Sequence, residues 1–321
     1  DTLICSSGTD TAVFSGNRSD YAIEQNAQGQ LSVRDINLAN GNDGTDVLLN
    51  VERASFANGL YGINFQAGGE FRVNTFTPNY QFAPTMTALS NGNVVISWHS
   101  QGQDGDNLYG IYAQLFDSNG IAQGAEFPIK NTIGTSEIEP AITALSGGGF
   151  VATWQKPTAY GLNIAYQRYD AAGNKLGIEG IISDPYSDSY LNPSVAPLNN
   201  GAFVIVWERS PASNEIYGYS STIYGQMLDA NGNKIGNEFL ASDPESINAP
   251  GGGYLGEVAK LANGNFVVAS VNFYGLTIKR FDASGNILGE SHLADYYLDD
   301  NNSSIEITPL SNGSFIVFGS K

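Results

Sequence analysis

The chain has 321 residues and carries 14 Lys and Arg against 32 Asp and Glu, which gives a net charge of −18 at pH 7. That charge repels nucleic-acid phosphate and anionic lipid headgroups, so we exclude nucleic acid as a partner. No apolar run approaches the roughly 20 residues of a membrane-spanning helix, and the single cysteine excludes an internal disulfide.

Residues 1–58 differ from the rest of the chain, and we predict that they form a small separate β segment. Asp1 and Asp10 lie nine residues apart, which is the period of the calcium-binding repeat G-G-x-G-x-D-x-U-x. The runs GTDTAVFSGNRSDYAI and GNDGTDVLLNVERASFANG resemble the segment that follows such repeats in secreted bacterial RTX proteins. The resemblance implies that Asp1 and Asp10 are ligands of a calcium ion. It also implies type I secretion to the cell surface or the medium.

Residues 59–321 repeat one hairpin five times. Each copy consists of two apolar runs joined by a glycine-containing turn, as in ALSNGNVVISW at 88–98. Asn-Gly between apolar runs is a strong hairpin signal. The glycines of the five turns recur at intervals of 49 to 63 residues, which suits four short strands per unit; they are Gly92, Gly148, Gly201, Gly264 and Gly313.

A third strand, an Asp-x-x-Gly turn and a fourth strand follow each of the first four hairpins. The Asp side chain can bond the turn backbone, and the Gly accepts a positive φ, so a type I turn is predicted at each site. The four turns begin at Asp117, Asp170, Asp229 and Asp282. Since no long window has helical periodicity, we predict an all-β chain of four-stranded antiparallel sheets.

The fifth hairpin is followed within a few residues by the end of the chain, so its sheet lacks two strands. Residues 59–74, GLYGINFQAGGEFRVN, match the second half of a unit. We therefore predict that these strands complete the last sheet. This arrangement resembles a five-bladed β-propeller closed by N- and C-terminal strands, which also protects the sheet edges.

The loops on one face of the predicted propeller contain the first candidate binding residues, because loops on a rigid scaffold usually carry function. Asp104 and Asp106 flank a glycine and are candidates for a second calcium site, with a solvated loop as the alternative. Tyrosine has an apolar face for a sugar ring and a polar tip. Tyrosines that either stack on a glycan or cover the loops are Tyr160, Tyr186, Tyr190, Tyr217, Tyr219, Tyr296 and Tyr297.

The hairpins differ in the residue that closes them, which is Trp in the first three and Ser or Gly in the last two. A two-residue turn would place Thr85 opposite Trp98, but Glu257 opposite Ser270 and Glu306 opposite Gly319. We predict blade-to-blade packing for the tryptophans. For Glu257 and Glu306 we predict a polar notch that binds a cation or sugar hydroxyls, with one carboxyl pKa raised. The alternative is a solvated strand end.

Enzyme signatures are weak, because His99 and His292 lie far apart in the repeat and support neither a Ser-His-Asp triad nor a zinc cluster. Five-bladed glycosidases that resemble this architecture use carboxylates at the central cavity. The glutamates at corresponding positions are Glu139, Glu208, Glu257 and Glu306.

We predict a secreted or cell-surface, non-enzymatic propeller that binds an extracellular glycan or another cell-surface component with calcium. Glu139, Glu257 and Glu306 are predicted to join the tyrosines in ligand binding. Two alternatives stay open. One is a self-assembling subunit of an extracellular layer or fibril, and the other is a glycan-cleaving hydrolase with paired carboxylates.

Overall fold

The computed structural model describes residues 2–4, 11–25, 31–37, 39, 44–49, 51, 53–62, 72–118, 120–129, 134–159, 161–182, 188–210, 221–242, 255–272, 275–293 and 304–320. Over these ranges the chain is built from strands, and the helical residues form two short 3-10 turns at Arg18–Asp20 and Asn199–Gly201. The predicted all-β class is confirmed. Within the same ranges, no helix is long and apolar enough to cross a membrane.

The chain divides into two compact units, Asp1–Arg72 and Val73–Lys321. The strands of the first unit are β1 Thr2–Ile4, β2 Thr11–Val13, β3 Tyr21–Gln25, β4 Leu31–Asp35, β5 Thr45–Leu49, β6 Arg53–Phe56 and β7 Gly59–Gly62. One sheet has the order β1-β5-β4-β3 and the other has β2-β6-β7. The β1–β5 and β2–β6 pairs are parallel. The consecutive strands β1 and β2 lie in different sheets.

An aromatic cluster forms the centre of the first unit. The rings of Phe14, Tyr21 and Phe56 contact one another with centroids 5.2 Å apart. The Tyr21 hydroxyl accepts a hydrogen bond from the Gly16 backbone N–H at 3.0 Å, which satisfies its polar end inside the core.

The second unit contains the predicted repeats. Its strands are β8 Gln81–Ala88, β9 Val94–Gln101, β10 Tyr109–Phe116, β11 Phe127–Pro128, β12 Ile138–Ala144, β13 Phe150–Thr158, β14 Gly161–Tyr169, β15 Lys175–Ile182, β16 Ser189–Pro197, β17 Phe203–Ser210, β18 Thr222–Leu228, β19 Lys234–Leu240, β20 Leu255–Lys260, β21 Phe266–Asn272, β22 Gly275–Phe281, β23 Ile287–Leu293, β24 Ser304–Pro309 and β25 Phe315–Ser320. They form four antiparallel four-stranded sheets in chain order, followed by the pair β24–β25.

The first strands of successive sheets contact one another in the order β8, β12, β16, β20 and β24. These strands are therefore innermost, and the sheets radiate from them. A radial series of four-stranded antiparallel sheets is a β-propeller, as predicted. We call the sheets blades 1 to 5 in chain order.

Completion of blade 5 by the N-terminal region stays a prediction, because residues 63–71 lie outside the described ranges. The strand β7 pairs antiparallel with β6 inside the first unit. The contacts divide the chain after Arg72, whereas the predicted boundary lies after residue 58.

The predicted hairpin register is wrong by one residue. Leu89 N–H donates to the Asn93 carbonyl at 2.7 Å and Gly92 N–H donates to the Leu89 carbonyl at 3.0 Å, with φ of 87° at Gly92. The loop therefore has three residues and ends in a glycine bulge, not a two-residue turn. As a result Thr85 lies opposite Ser97.

The same shift applies to the two glutamates of the predicted notch. Glu257 lies opposite Ala269, and Glu306 lies opposite Phe318. The predicted pairing of a carboxylate with a small closing residue is therefore incorrect, although both glutamates remain on innermost strands.

Trp154 and Trp207 pack between blades, as predicted. Trp154 of blade 2 is fully buried against Val95 and Ile111 of blade 1. Trp207 of blade 3 is fully buried against Val151 and Ile164 of blade 2. Each indole thus fills the interface with the preceding blade, where a sheet face would otherwise meet water.

Replacement of Trp154 by Ala is expected to lower the free energy of unfolding by about 3–5 kcal/mol, because it leaves a cavity in a fully buried interface. Chemical denaturation measures the change. Phe318→Ala is the control, since this ring is 65% exposed and its loss should cost less than about 1 kcal/mol. Equal losses in the two variants would contradict the interface role.

The Asp-x-x-Gly turns are present as predicted. Asp170 Oδ1 accepts backbone hydrogen bonds from Ala172 and Asn174 at 2.9 and 2.8 Å, and Oδ2 accepts the Asn174 side chain at 2.9 Å. The same bonds form at Asp229 and Asp282. The asparagine side-chain bond is the main cause that lowers the carboxyl pKa in all three turns.

The contribution of these turns to the free energy of unfolding is expected to decrease in acid. Because the folded pKa lies below the unfolded one, the contribution to stability is complete above the unfolded pKa and is lost as the pH falls through the folded pKa. The triple variant Asp170→Asn, Asp229→Asn and Asp282→Asn should therefore show a smaller drop in Tm between about pH 7 and about pH 2.5 than the parent. Thermal unfolding at both pH values measures it, and identical drops would refute the assignment.

Candidate functional site: the axial carboxylates

Bulges near the starts of three innermost strands mark the face on which the candidate glutamates lie. We call these glutamates, Glu139, Glu208, Glu257 and Glu306, the axial carboxylates. The registers of β8, β12 and β16 shift where an X-Pro dipeptide occurs, and the residue before proline has a positive φ: 45° at Ala83, 53° at Glu139 and 48° at Asn192. Proline lacks the N–H that the ladder requires, and a bulge re-aims the neighbouring side chains. Positive φ in non-glycine residues is strained and often accompanies a functional site.

Glu139 lies at the contact between blades 1 and 2. Its backbone N–H donates to Nδ1 of His99 at 3.4 Å, which identifies that nitrogen as an acceptor. Burial lowers the pKa of His99 and raises the pKa of the Glu139 carboxyl. Burial therefore favours the uncharged form of both side chains.

Glu208 is the most enclosed of the candidate glutamates, with 4% of its surface exposed. Asn192 Nδ2 donates to Glu208 Oε2 at 2.9 Å. The side-chain oxygen Oδ1 of Asn192 in turn accepts a hydrogen bond from Gln155 Nε2 of blade 2 at 3.4 Å. Through these two hydrogen bonds, Gln155 and Asn192 hold the buried Glu208 carboxyl group in one orientation. A buried carboxyl group requires polar partners of this kind.

Glu257 lies on β20 in contact with the preceding blade. Ser194 Oγ accepts the backbone N–H of Val258 at 3.2 Å, and its hydroxyl hydrogen-bonds the Glu257 carboxyl. Burial raises the pKa of Glu257 to about 7; the Ser194 bond opposes this rise, and the negative charge of Glu306 on β24 adds to it. Glu306 itself is exposed.

One carboxyl of the predicted pair, Glu257, has a raised pKa, but its main cause is burial, whereas the prediction attributed the shift to the approach of the two carboxylates. The negative charge of Glu306, on the adjacent strand β24, is the smallest of the contributions to this shift. Binding of a cation or of sugar hydroxyls by the pair stays a prediction.

Asp104 and Asp106 hold a loop together. The Asp104 carboxylate accepts a hydrogen bond from the Tyr112 hydroxyl. Asp106 accepts the backbone N–H groups of Leu108 and Gly134, each at 3.0 Å. Over the described ranges no three His, Cys, Asp or Glu side chains are grouped to hold a metal ion, so calcium at these aspartates remains a prediction.

Several residues that were predicted to bind a sugar or calcium lie in the core or outside the described residues. Tyr190 is fully buried with its ring 5.9 Å from Trp207, so it belongs to the core and the prediction of an exposed sugar contact is wrong there. The candidates outside the described residues are Asp1, Asp10, Tyr160, Tyr186, Tyr217, Tyr219, Tyr296 and Tyr297.

Sequence analysis did not predict the bulges or the amide relay of Gln155 and Asn192. The recurring proline at Pro84, Pro140 and Pro193 was the available signal. Each proline stands at the same distance before its hairpin, and proline inside a strand pattern marks a bulge or an edge.

No protein-family model matches the chain, and no curated protein matches it. Solved structures do. A protein of unknown function from Dyadobacter fermentans superposes with a TM-score of 0.51 at 10% identity, over 74% of each chain. An α-L-arabinanase from Penicillium chrysogenum, complexed with arabinobiose, gives 0.48 at 17% identity over 98% of each chain.

A GH93 α-L-arabinofuranosidase from Fusarium graminearum gives a TM-score of 0.47 at 13% identity, over 97% of this chain and 96% of the other. The similarity to the Dyadobacter protein shows the fold alone and leaves activity to the residues of this chain. The two structures of named activity are glycoside hydrolases, which speaks against our prediction of a non-enzymatic binding protein. The glycan-cleaving alternative is therefore considered as a proposal below.

Glu257→Gln is expected to stabilise the protein relative to the parent increasingly as the pH rises from 4.5 to about 7, and by a constant amount above that. The folded pKa of about 7 lies above the ordinary value of 4.5, so the parent loses stability as the pH rises between these values. A shift of this size limits the effect to about 3 kcal/mol. Denaturation of parent and variant across this pH range measures it; parallel curves would show that Glu257 does not titrate as assigned.

Proposed function

We propose that the propeller cleaves glycosidic bonds in an extracellular glycan, with the axial carboxylates as acid and base. The observation that carries this proposal is the raised pKa of Glu257 beside a second carboxylate, Glu306, on the neighbouring innermost strand. Two carboxyl groups in different protonation states are what glycoside hydrolysis requires.

Glu257 is assigned the role of general acid. A pKa of about 7 keeps a large share of this carboxyl protonated near neutral pH. It can then donate its proton to the glycosidic oxygen as the bond to the leaving sugar breaks. The enclosure that raises the pKa also limits competition from water.

Glu306 is assigned the role of the ionised partner. It is exposed, and its negative charge contributes to the raised pKa of Glu257. Such a carboxylate either activates water or attacks the anomeric carbon. Glu208 is the second candidate for this role, because the amide of Asn192 holds its carboxylate at 2.9 Å.

Export of the protein is part of the proposal. The parallel pairs β1–β5 and β2–β6 place strands nine residues apart in two different sheets. This pairing supports the RTX resemblance of residues 1–58, and with it secretion and calcium binding. Asp1 and Asp10 are the residues proposed to bind that calcium.

Hydrolysis is tested with a panel of neutral glycans that includes arabinan and arabinobiose, with released reducing sugar as the measurement. Glu257→Gln is expected to lower kcat by about a hundredfold or more, the usual contribution of a general acid. In the parent, kcat/KM should fall as the pH rises through about 7, where Glu257 loses its proton.

Glu306→Gln and Glu208→Gln decide which carboxylate is the ionised partner, since only the true partner should cause a comparable loss. Glu290→Gln is the matched control, because Glu290 lies on the outer strand β23 with half of its side chain exposed. Absence of product from every glycan, or full activity in all three axial variants, would overturn the proposal.

A further inference from the structure

Two exposed aromatic rings lie beside the bulge of blade 1. Tyr80 is 63% exposed and Phe82 is 46% exposed. Their rings are nearly parallel, with centroids 5.6 Å apart and 13° between their planes. Exposed apolar surface of this kind is unfavourable in water and often marks a binding site.

The pair is held in place from behind. The Phe82 ring meets the edge of buried His99 at 5.4 Å and also contacts Tyr109 at 6.4 Å. The Tyr80 carbonyl accepts the Gln101 N–H at 2.9 Å, and Gln81 is tied to the Pro78 carbonyl at 2.8 Å. Both rings are therefore preorganised, which lowers the entropy cost of binding.

The repeat does not require aromatic rings at this position. Phe82 lies opposite His99, and the corresponding residues of blades 2 and 3 are Ile138 and Leu191, opposite Gln155 and Glu208. Those aliphatic side chains are partly buried, whereas Phe82 is exposed. Among the three bulged strands, an aromatic ring at this position therefore occurs in blade 1 alone.

The pair lies on the face of the axial carboxylates. Phe82 directly precedes the bulge at Ala83, and its partner His99 accepts the backbone N–H of Glu139. A sugar ring stacked on Tyr80 and Phe82 would therefore be separated from Glu139 by one side chain, that of His99.

We propose that Tyr80 and Phe82 form a sugar-binding subsite for an additional unit of a neutral oligosaccharide, away from the bond that is cleaved. This inference rests on the proposed function. The C–H face of a sugar stacks on an aromatic ring, and the polar tip of Tyr80 can exchange a hydrogen bond with a sugar hydroxyl. The net charge of −18 opposes acidic glycans.

The test measures binding separately from cleavage. Calorimetry with arabino-oligosaccharides and xylo-oligosaccharides of increasing length is carried out on Glu257→Gln, which leaves the ligand intact. Affinity should increase with chain length. Adding Tyr80→Ala should weaken binding of the longer chains by about threefold to tenfold, and leave binding of the monosaccharide unchanged.

Tyr80→Phe is expected to retain the affinity, because it keeps the ring. Phe82→Leu should repeat the loss without a large cavity, and Phe318→Ala controls for removal of an exposed ring elsewhere. Unchanged binding in both Tyr80→Ala and Phe82→Leu would overturn the subsite. Failure of Glu257→Gln to bind any of these oligosaccharides would also overturn it. Ring-dependent binding by a protein that cleaves nothing would support the subsite and reject the proposed function.

Discussion

The packing of each blade against the next is the interaction on which the site depends. A four-stranded sheet cannot bury both faces alone, and here Trp154 and Trp207 are completely enclosed against the preceding blade. The innermost strands therefore lie side by side, in the order in which they occur along the chain. Residues far apart in sequence reach the same face only through this packing.

Three residues of the site, Glu139, Asn192 and Glu257, share one form of support, in which each is held by the blade before it. His99 of blade 1 accepts the N–H of Glu139, Gln155 of blade 2 donates to Asn192, and Ser194 of blade 3 bonds Glu257. Loss of a blade interface would thus release a glutamate as well as expose apolar surface. The stability and the electrostatics of the site have a common origin.

The chemistry of Glu257 follows from its enclosure. Burial penalises the carboxylate more than the Ser194 hydrogen bond stabilises it, and the charge of Glu306 adds to the penalty. An exposed carboxyl with the same neighbours would be ionised at neutral pH and could not act as an acid. Under the proposed function, blade 1 contributes Tyr80 and Phe82 as a sugar-binding surface, and blades 4 and 5 contribute Glu257 and Glu306 on neighbouring innermost strands.

Local features of the chain were determined by the sequence alone. The strands and the Asp-x-x-Gly turns follow from residue pattern, because each depends on neighbours within a few positions. The burial of Trp154 and Trp207 follows from their large apolar rings, although the residues that they contact belong to another blade. The hairpin register was missed, since the positive φ of Gly92 adds a third loop residue. The bulges at Ala83, Glu139 and Asn192, the relay to Glu208 and the pKa of Glu257 required the tertiary structure. The relay and the pKa arise from contacts between blades, because desolvation and charge act through space without regard to separation along the chain. The bulges accompany the X-Pro dipeptides, and only the structure shows the positive φ of the residue before each proline.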